Sequence, residues 1–315
     1  MKKVILISVL VIFSIVSLFV GVEEISPLDV AHLTPVQWHV LFISRFPRLM
    51  SILISGMSIS ICGLIMQQLT RNKFVSPTTA GTMDSARFGV LMALLLFPSA
   101  GMLEKMGVAF ACALLGTFIF MNILSRMKFK NTIFIPLVGM MFGNIVSSIT
   151  TFFALKYNLV QSISSWLQGD FSMVIQGRYE LLYISIPMII IAYIFANRFT
   201  LAGMGEDFST NLGLNYKAIV GIGLVIVALV SSVVVLTVGT LPFLGLIVPN
   251  IVTIFYGDNL RKSLLPTALL GAVFVLFCDI LSRVIIYPYE VSISLTIGII
   301  GSVIFLYLLM RRGRL

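Results

Sequence analysis

The chain has 315 residues, of which 59% are hydrophobic and 10% charged, and its mean hydropathy is +1.09. An ordinary soluble domain carries about 25% charged residues, so a water-soluble fold is excluded. The formal charge of +9 does not indicate nucleic acid, because Lys and Arg fall in twos and threes between apolar segments rather than in one run.

A helix that crosses the hydrocarbon needs about 20 apolar residues. Apolar windows predict ten such spans, near 4–21, 48–69, 78–98, 105–125, 132–154, 179–197, 217–237, 240–256, 264–286 and 292–310. The expectation is an all-α integral membrane protein with a single transmembrane domain over 1–315. The first window, behind Lys2 and Lys3, is longer than a signal h-region, and Gly21-Val22-Glu23-Glu24 lacks a small-x-small cleavage pattern, so it reads as the first helix. The seventh and eighth windows run together. Gly239-Thr240-Leu241-Pro242 divides them, since proline removes a helix donor and glycine loosens the backbone. Cys62, Cys112 and Cys278 all sit in apolar windows with no CxxC, which supports neither a disulfide framework nor a thiolate metal site.

Charge sets the orientation. With the N-terminus inside, Lys2, Lys3, Arg71, Lys73, Arg126, Lys128, Lys130, Arg198, Lys217, Arg261, Lys262, Arg311, Arg312 and Arg314 are cytoplasmic, against Arg45, Arg48, Lys105, Lys156, Arg178 and Arg283 outside. That asymmetry obeys the positive-inside rule and puts both termini in the cytoplasm.

Polar features follow in chain order. His32 and His39, in the first outer loop, are too few for a metal site, which needs three or four convergent ligands. Arg45-Phe46-Pro47-Arg48 stands at the outer mouth of the second span, with Pro47 suited to a helix start. The two arginines read either as an interfacial anchor or as exposed guanidiniums that recognise carboxylates on a soluble partner. Asp84 and Arg87, three apart, and Asp279 and Arg283, four apart, are spaced to pair on one helix face, and Arg283 is near enough to a helix end to snorkel outward. Outside, Ser164-Ser165-Trp166-Leu167-Gln168-Gly169-Asp170 predicts a small interfacial helix anchored by Trp166. Inside, 199–216 reads as short helix, glycine stop and return. No GxxxxGK(S/T), GxSxG or HExxH occurs, so no catalytic residue, metal site or bound cofactor is expected, and any ATP energy comes from a partner.

Read in order, several motifs resemble the FecCD family, the permeases of iron-siderophore, haem and cobalamin importers. They are RFPR at Arg45 to Arg48, GLIMQQLTRN from Gly63 to Asn72 followed by Pro77 and Gly81, and SWLQGDF at Ser165 to Phe171. GED and LGLN between Gly205 and Asn215, FLGLIVPN at Phe243 to Asn250 and LLPTALLGAVFVLFCDILSR at Leu264 to Arg283 complete the set. The resemblance implies a ten-helix permease of an ATP-driven importer in the cytoplasmic membrane, narrowed to the siderophore branch with petrobactin as the suggested cargo. It implies a second FecCD-type permease subunit, identical or related, two ABC ATPase subunits that use the ATP, and an extracytoplasmic siderophore-binding lipoprotein or periplasmic protein. Membrane lipid surrounds the chain, and no nucleic acid is involved. Residue by residue it implies binding-protein docking by Arg45, Arg48 and Arg283, ATPase coupling through Gly205, Glu206, Asp207, Leu212 and Gly213, and a cytoplasmic gate at Asn72, Phe74 and Thr132.

The chain departs from the family pattern at Asn250, at Glu290-Val291-Ser292 and at Asp84-Ser85-Ala86-Arg87, where small residues are usual. These departures bear on cargo, and Arg87 near the pathway would favour an anionic ferric complex. An ion-coupled secondary transporter needs mid-membrane carboxylates. Asp84 and Asp279 alone come near that role, each with a helix-spaced arginine.

Overall fold

Hydrocarbon offers backbone groups no partner but one another, so apolar windows long enough to span it close into helices. A computed structural model describes residues 2–21, 34–77, 81–126, 134–174, 176–177 and 179–312. Ten helices answer the ten predicted windows: α1 (Lys2–Phe19), α3 (Phe46–Leu69), α4 (Thr82–Leu96), α5 (Met102–Arg126), α6 (Phe134–Lys156), α8 (Ser185–Ala202), α10 (Tyr216–Val238), α11 (Leu244–Tyr256), α12 (Leu260–Val284) and α13 (Ile293–Arg312). Three short helices lie between them, α2 (Pro35–Val40), α7 (Val160–Leu167) and α9 (Glu206–Asn211). Among the described residues seven helical runs are long and apolar enough to cross a membrane by themselves, while Lys3–Phe19 and Leu244–Tyr256 are shorter apolar helices. No strand occurs among the described residues. The division of the seventh and eighth windows is observed: Gly239 ends α10 at φ +89°, and α11 begins only after Phe243.

Pro47 does not start a helix. Helix runs unbroken from Pro35 through a π-turn at Leu41–Arg45 into α3. The wider turn lets the Phe46 amide donate to the Leu41 carbonyl. The Ile43 carbonyl, which an ordinary residue at position 47 would have bonded, accepts the amide of Gln176 instead, at 3.1 Å.

Helix α3 is the central post, buried along most of its length and packed by α8, α10, α11 and α12. Its glycines allow backbone-to-backbone approach. A Cβ on Gly63 would stand 1.8 Å from the Gly245 carbonyl oxygen of α11, and one on Gly56 would stand 2.9 Å from that of Gly271 on α12. Close approach of small residues is how helices gain dispersion contacts where lipid removes the hydrophobic drive. The buried hydroxyls of Ser51, Ser55 and Ser58 donate back to carbonyls of their own helix and so cost little. Around this post, α1, α6, α8 and α13 turn Ile5, Ile145, Ile194 and Val303 outward, more than half exposed, as a lipid-facing surface requires.

Helix α7 is present, and Trp166 ties it to α10. The indole is half-buried, and its Nε1 donates to the Leu236 carbonyl in the last turn of α10. The loop after it is pinned into the protein: Asp170 N donates to Val238 O at 2.9 Å, Thr240 N to Leu167 O at 3.0 Å, and Gly169 N to Ser294 Oγ at 2.9 Å. A side chain at Gly239 would meet the Gln168 carbonyl at 2.5 Å.

Candidate functional site

At the outer end, the three predicted docking arginines are not exposed. Arg45, Arg48 and Arg283 are 7%, 8% and 5% accessible. The cause is the C-terminus of α1, whose last carbonyls have no intrahelical donors. Arg45 Nη1 donates to Leu18 O at 2.6 Å and Phe19 O at 3.2 Å, and Arg283 Nη1 donates to Ser17 O at 2.9 Å and Val20 O at 3.0 Å. Arg48 is taken by carboxylates instead, with Nη2 2.8 Å from Asp279 Oδ1 and Nη1 2.8 Å from Glu290 Oε2. Asp279, fully buried, also pairs with Arg283 through Oδ2, as the four-residue spacing predicts, so Arg283 does not snorkel. One carboxylate thus holds two guanidiniums in low dielectric, where charge-assisted bonds are strong and a lost partner is costly. Ser17, which accepts from Arg283 through both its carbonyl and hydroxyl oxygens, carries no motif and was missed in the sequence.

On the opposite end, the 199–216 loop forms the expected short helix. Gly205, at φ +124°, turns the chain into α9 and lies against Arg71, whose guanidinium would meet a Cβ there at 1.9 Å. Gly213, at φ +75°, returns it. Ser209 ties the turn from inside, its amide donating to Gly205 O and its hydroxyl to Leu201 O. Glu206 and Asp207 face solvent. So do Met204, Phe208 and Leu212, of which Phe208 lies within α9 and the other two flank it. Met204 and Phe208 were overlooked, although an apolar residue every fourth position in a polar loop was a usable signal.

Nearby, Asn72 Oδ1 accepts the Phe74 amide at 2.9 Å, and the half-exposed Phe74 ring meets Phe305 edge-on with centroids 6.1 Å apart. Asn250, a departure from the family pattern, clamps this segment by donating from Nδ2 to Lys73 O and Leu246 O, each at 2.7 Å. Lys73 also pairs with Asp258. Thr132 lies outside the described residues, as do His32 and Arg178. The structure brings Asn72 and Phe74 together and leaves Asp84 and Arg87 on a separate wall.

That wall differs from expectation. Among the described residues the ion pairs within 4 Å are Arg48–Asp279, Arg48–Glu290, Lys73–Asp258 and Arg283–Asp279, and Asp84–Arg87 is not one of them. Both side chains line a cavity of about 340 Å³ with Ser164, Gln168 and Thr240. No three His, Cys, Asp or Glu side chains converge as a metal site among the described residues.

The family described as the FecCD transport family matches residues 9–311. The chain belongs to the FecCD family. Within it, the chain is 66% identical over 312 residues to the petrobactin import system permease protein YclN of Bacillus subtilis, covering 99% of both. It is 38% identical to the petrobactin import system permease protein FatD of Bacillus anthracis, over 99% of this chain and 91% of that one. It is also 38% identical to the ferric-anguibactin transport system permease protein FatD of Vibrio anguillarum, over 95% of each. A solved metal-chelate type ABC transporter in an inward-facing conformation superposes with a TM-score of 0.85 over 98% of this chain and 99% of that one, at 24% identity, which shows the shared fold. A FecCD protein with these helices is a multi-pass membrane transport protein.

Proposed function

We propose that this FecCD chain is the permease subunit of an ATP-driven importer for a ferric siderophore, with petrobactin as its cargo. The observation that carries the reading is 66% identity across 99% of the chain to a petrobactin permease. In this reading a second FecCD-type subunit shares the pathway, two ATPase subunits bind and hydrolyse ATP, and an extracytoplasmic protein delivers the chelate. Both termini face the cytoplasm.

Each step in this reading draws on residues of the chain. Glu206, Asp207 and Phe208 on α9, with Met204 and Leu212 just beyond its ends, offer the ATPase an acidic and apolar surface that the turns at Gly205 and Gly213 and the Ser209 hydrogen bonds position. Asn72, Phe74 and Thr132 form the cytoplasmic gate. Arg45, Arg48 and Arg283 dock the binding protein by exchange: its carboxylates compete with Asp279, Glu290 and the α1 carbonyls for guanidiniums already engaged. Docking therefore loosens the contacts that seat α1 and α12, and a partner moves the equilibrium only by its different affinity for the two states.

Iron-55 petrobactin uptake in cells that lack their own importer tests the reading. Expression of this chain with its partner subunits should restore uptake, and replacing the P-loop lysine of the ATPase should abolish it. Uptake that survives that replacement, or a purified chain that carries no ATPase with it, rejects the ATP-driven importer.

A further inference from the structure

The cavity beside Asp84 adjoins the middle of α3 through a second void. It shares Met83 and Val235 with a smaller void lined also by Ile59, Pro77 and Leu241. Ile59 is eleven residues along α3 from Arg48, about 16 Å at 1.5 Å per residue. Two breaks in helical structure meet beside this void, the segment after α3 that carries Pro77 and the segment from Gly239 to Phe243. Irregular backbone inside hydrocarbon is tolerated where protein buries it or where it lines a cavity, and helix breaks near the midplane are where transporters hold their cargo.

Asp84 and Arg87 feel one another's charge without closing onto each other. Helical spacing puts Asp84 and Arg87 on one face of α4, yet no ion pair within 4 Å closes between them. Ionisable groups inside a membrane mark substrate paths because the cost of holding them there is otherwise uncompensated. Helix α6 makes room for the carboxylate: a Cβ on Gly143 would stand 2.4 Å from Asp84 Oδ2. The neighbouring Ser85 points the other way, filling the space that Gly116 of α5 leaves open. Gln168 and Thr240 close the opposite wall, and the Thr240 amide, donating to Leu167 O, pins the end of α7 to the loop after α10.

We propose that Asp84, Arg87, Gln168 and Thr240 form a polar subsite on the cargo route. Arg87 takes an anionic oxygen group of the passing chelate, and Asp84 takes an adjacent hydroxyl or amine donor. The volume of about 340 Å³ is at the small end of the roughly 300–1,000 Å³ of small-molecule pockets, room for one such arm of a larger chelate. The cargo half of this inference rests on the importer reading above, while the anion subsite does not.

Two measurements on the assembled importer separate them. In a background with Cys62, Cys112 and Cys278 replaced, Thr240→Cys and, independently, Ser164→Cys are treated with methanethiosulfonates of opposite charge. The subsite predicts reaction from water and an anionic-over-cationic rate preference of about threefold or more that Arg87→Ala removes. Cysteines that never react, or a preference indifferent to Arg87, overturn the subsite whatever the cargo. In the second measurement, Arg87→Ala should raise the half-saturating ferric petrobactin concentration for uptake by about tenfold or more, with Arg87→Lys recovering part of the loss and ATPase co-purification unchanged. Asp84→Asn should raise it less. Unchanged half-saturation in both Arg87→Ala and Asp84→Asn overturns the role in cargo passage. A wild-type importer that carries no ferric petrobactin refutes the cargo assignment alone, and the thiol chemistry then decides the subsite.

Discussion

Asp279 has no accessible surface and two arginines to neutralise, and the cost of removing it follows from that arrangement. Asp279→Ala leaves Arg48 and Arg283 facing one another in low dielectric, which should destabilise the protein by about 3–5 kcal/mol, read as a lower melting temperature in detergent. Glu290 is different, because a quarter of its side chain is in contact with solvent. Glu290→Gln also keeps an acceptor oxygen for the buried Arg48, so it should cost about 1 kcal/mol and lower the melting temperature far less than Asp279→Ala. If docking proceeds by exchange, the same variant should bind the extracytoplasmic partner more tightly, by up to about fivefold, since Arg48 has lost one internal competitor. Weaker binding would mean that Glu290 itself faces the partner.

Among the elements, α9 is the one whose sequence is most at odds with burial. Six residues cannot hold a helix by themselves, and this one persists because Gly205, Gly213 and Ser209 fix its ends and Arg71 packs beneath it. Gly205→Ala places a Cβ at a left-handed φ and against Arg71, so it should misplace the helix without unfolding the bundle. Phe208→Asp should leave the helix in place and spoil its apolar surface. Both variants should lose most ATPase co-purification and uptake while keeping the melting temperature within about 2 °C of wild type. A full yield of ATPase with Phe208→Asp would remove α9 as the docking surface. The π-turn before α3 argues in the same way: Pro47 was read as a helix start, whereas the turn that carries it inside a continuous helix depends on Gln176, far along the chain, to satisfy Ile43.

For the whole molecule, alternating access requires that the arginine cluster and α9 face opposite aqueous compartments. In a background with the native cysteines replaced, Tyr289→Cys, beside the outer cluster and 76% exposed, should react with a membrane-impermeant maleimide in intact cells. Asp207→Cys should react only after the membrane is opened. Reversed labelling would invert the topology and with it every assignment of partner to surface.

Hydropathy is a local property and lipid presents the same solvent to every span, so the ten windows, the all-α class and the break at Gly239–Pro242 were readable from residues within one helix length of each other. The i,i+4 pair of Asp279 and Arg283 was readable for the same reason. Which acceptors each guanidinium finds was not, because Arg48 meets Asp279 across 231 positions of sequence and Arg283 meets Ser17 across 266. Nor was the opening of Asp84 and Arg87 onto a cavity, whose walls come from α4, α7, the end of α10 and the loop after it. Partner choice among buried charges is decided by which distant helix ends arrive beside them, and only the tertiary packing around α3 brings those ends together.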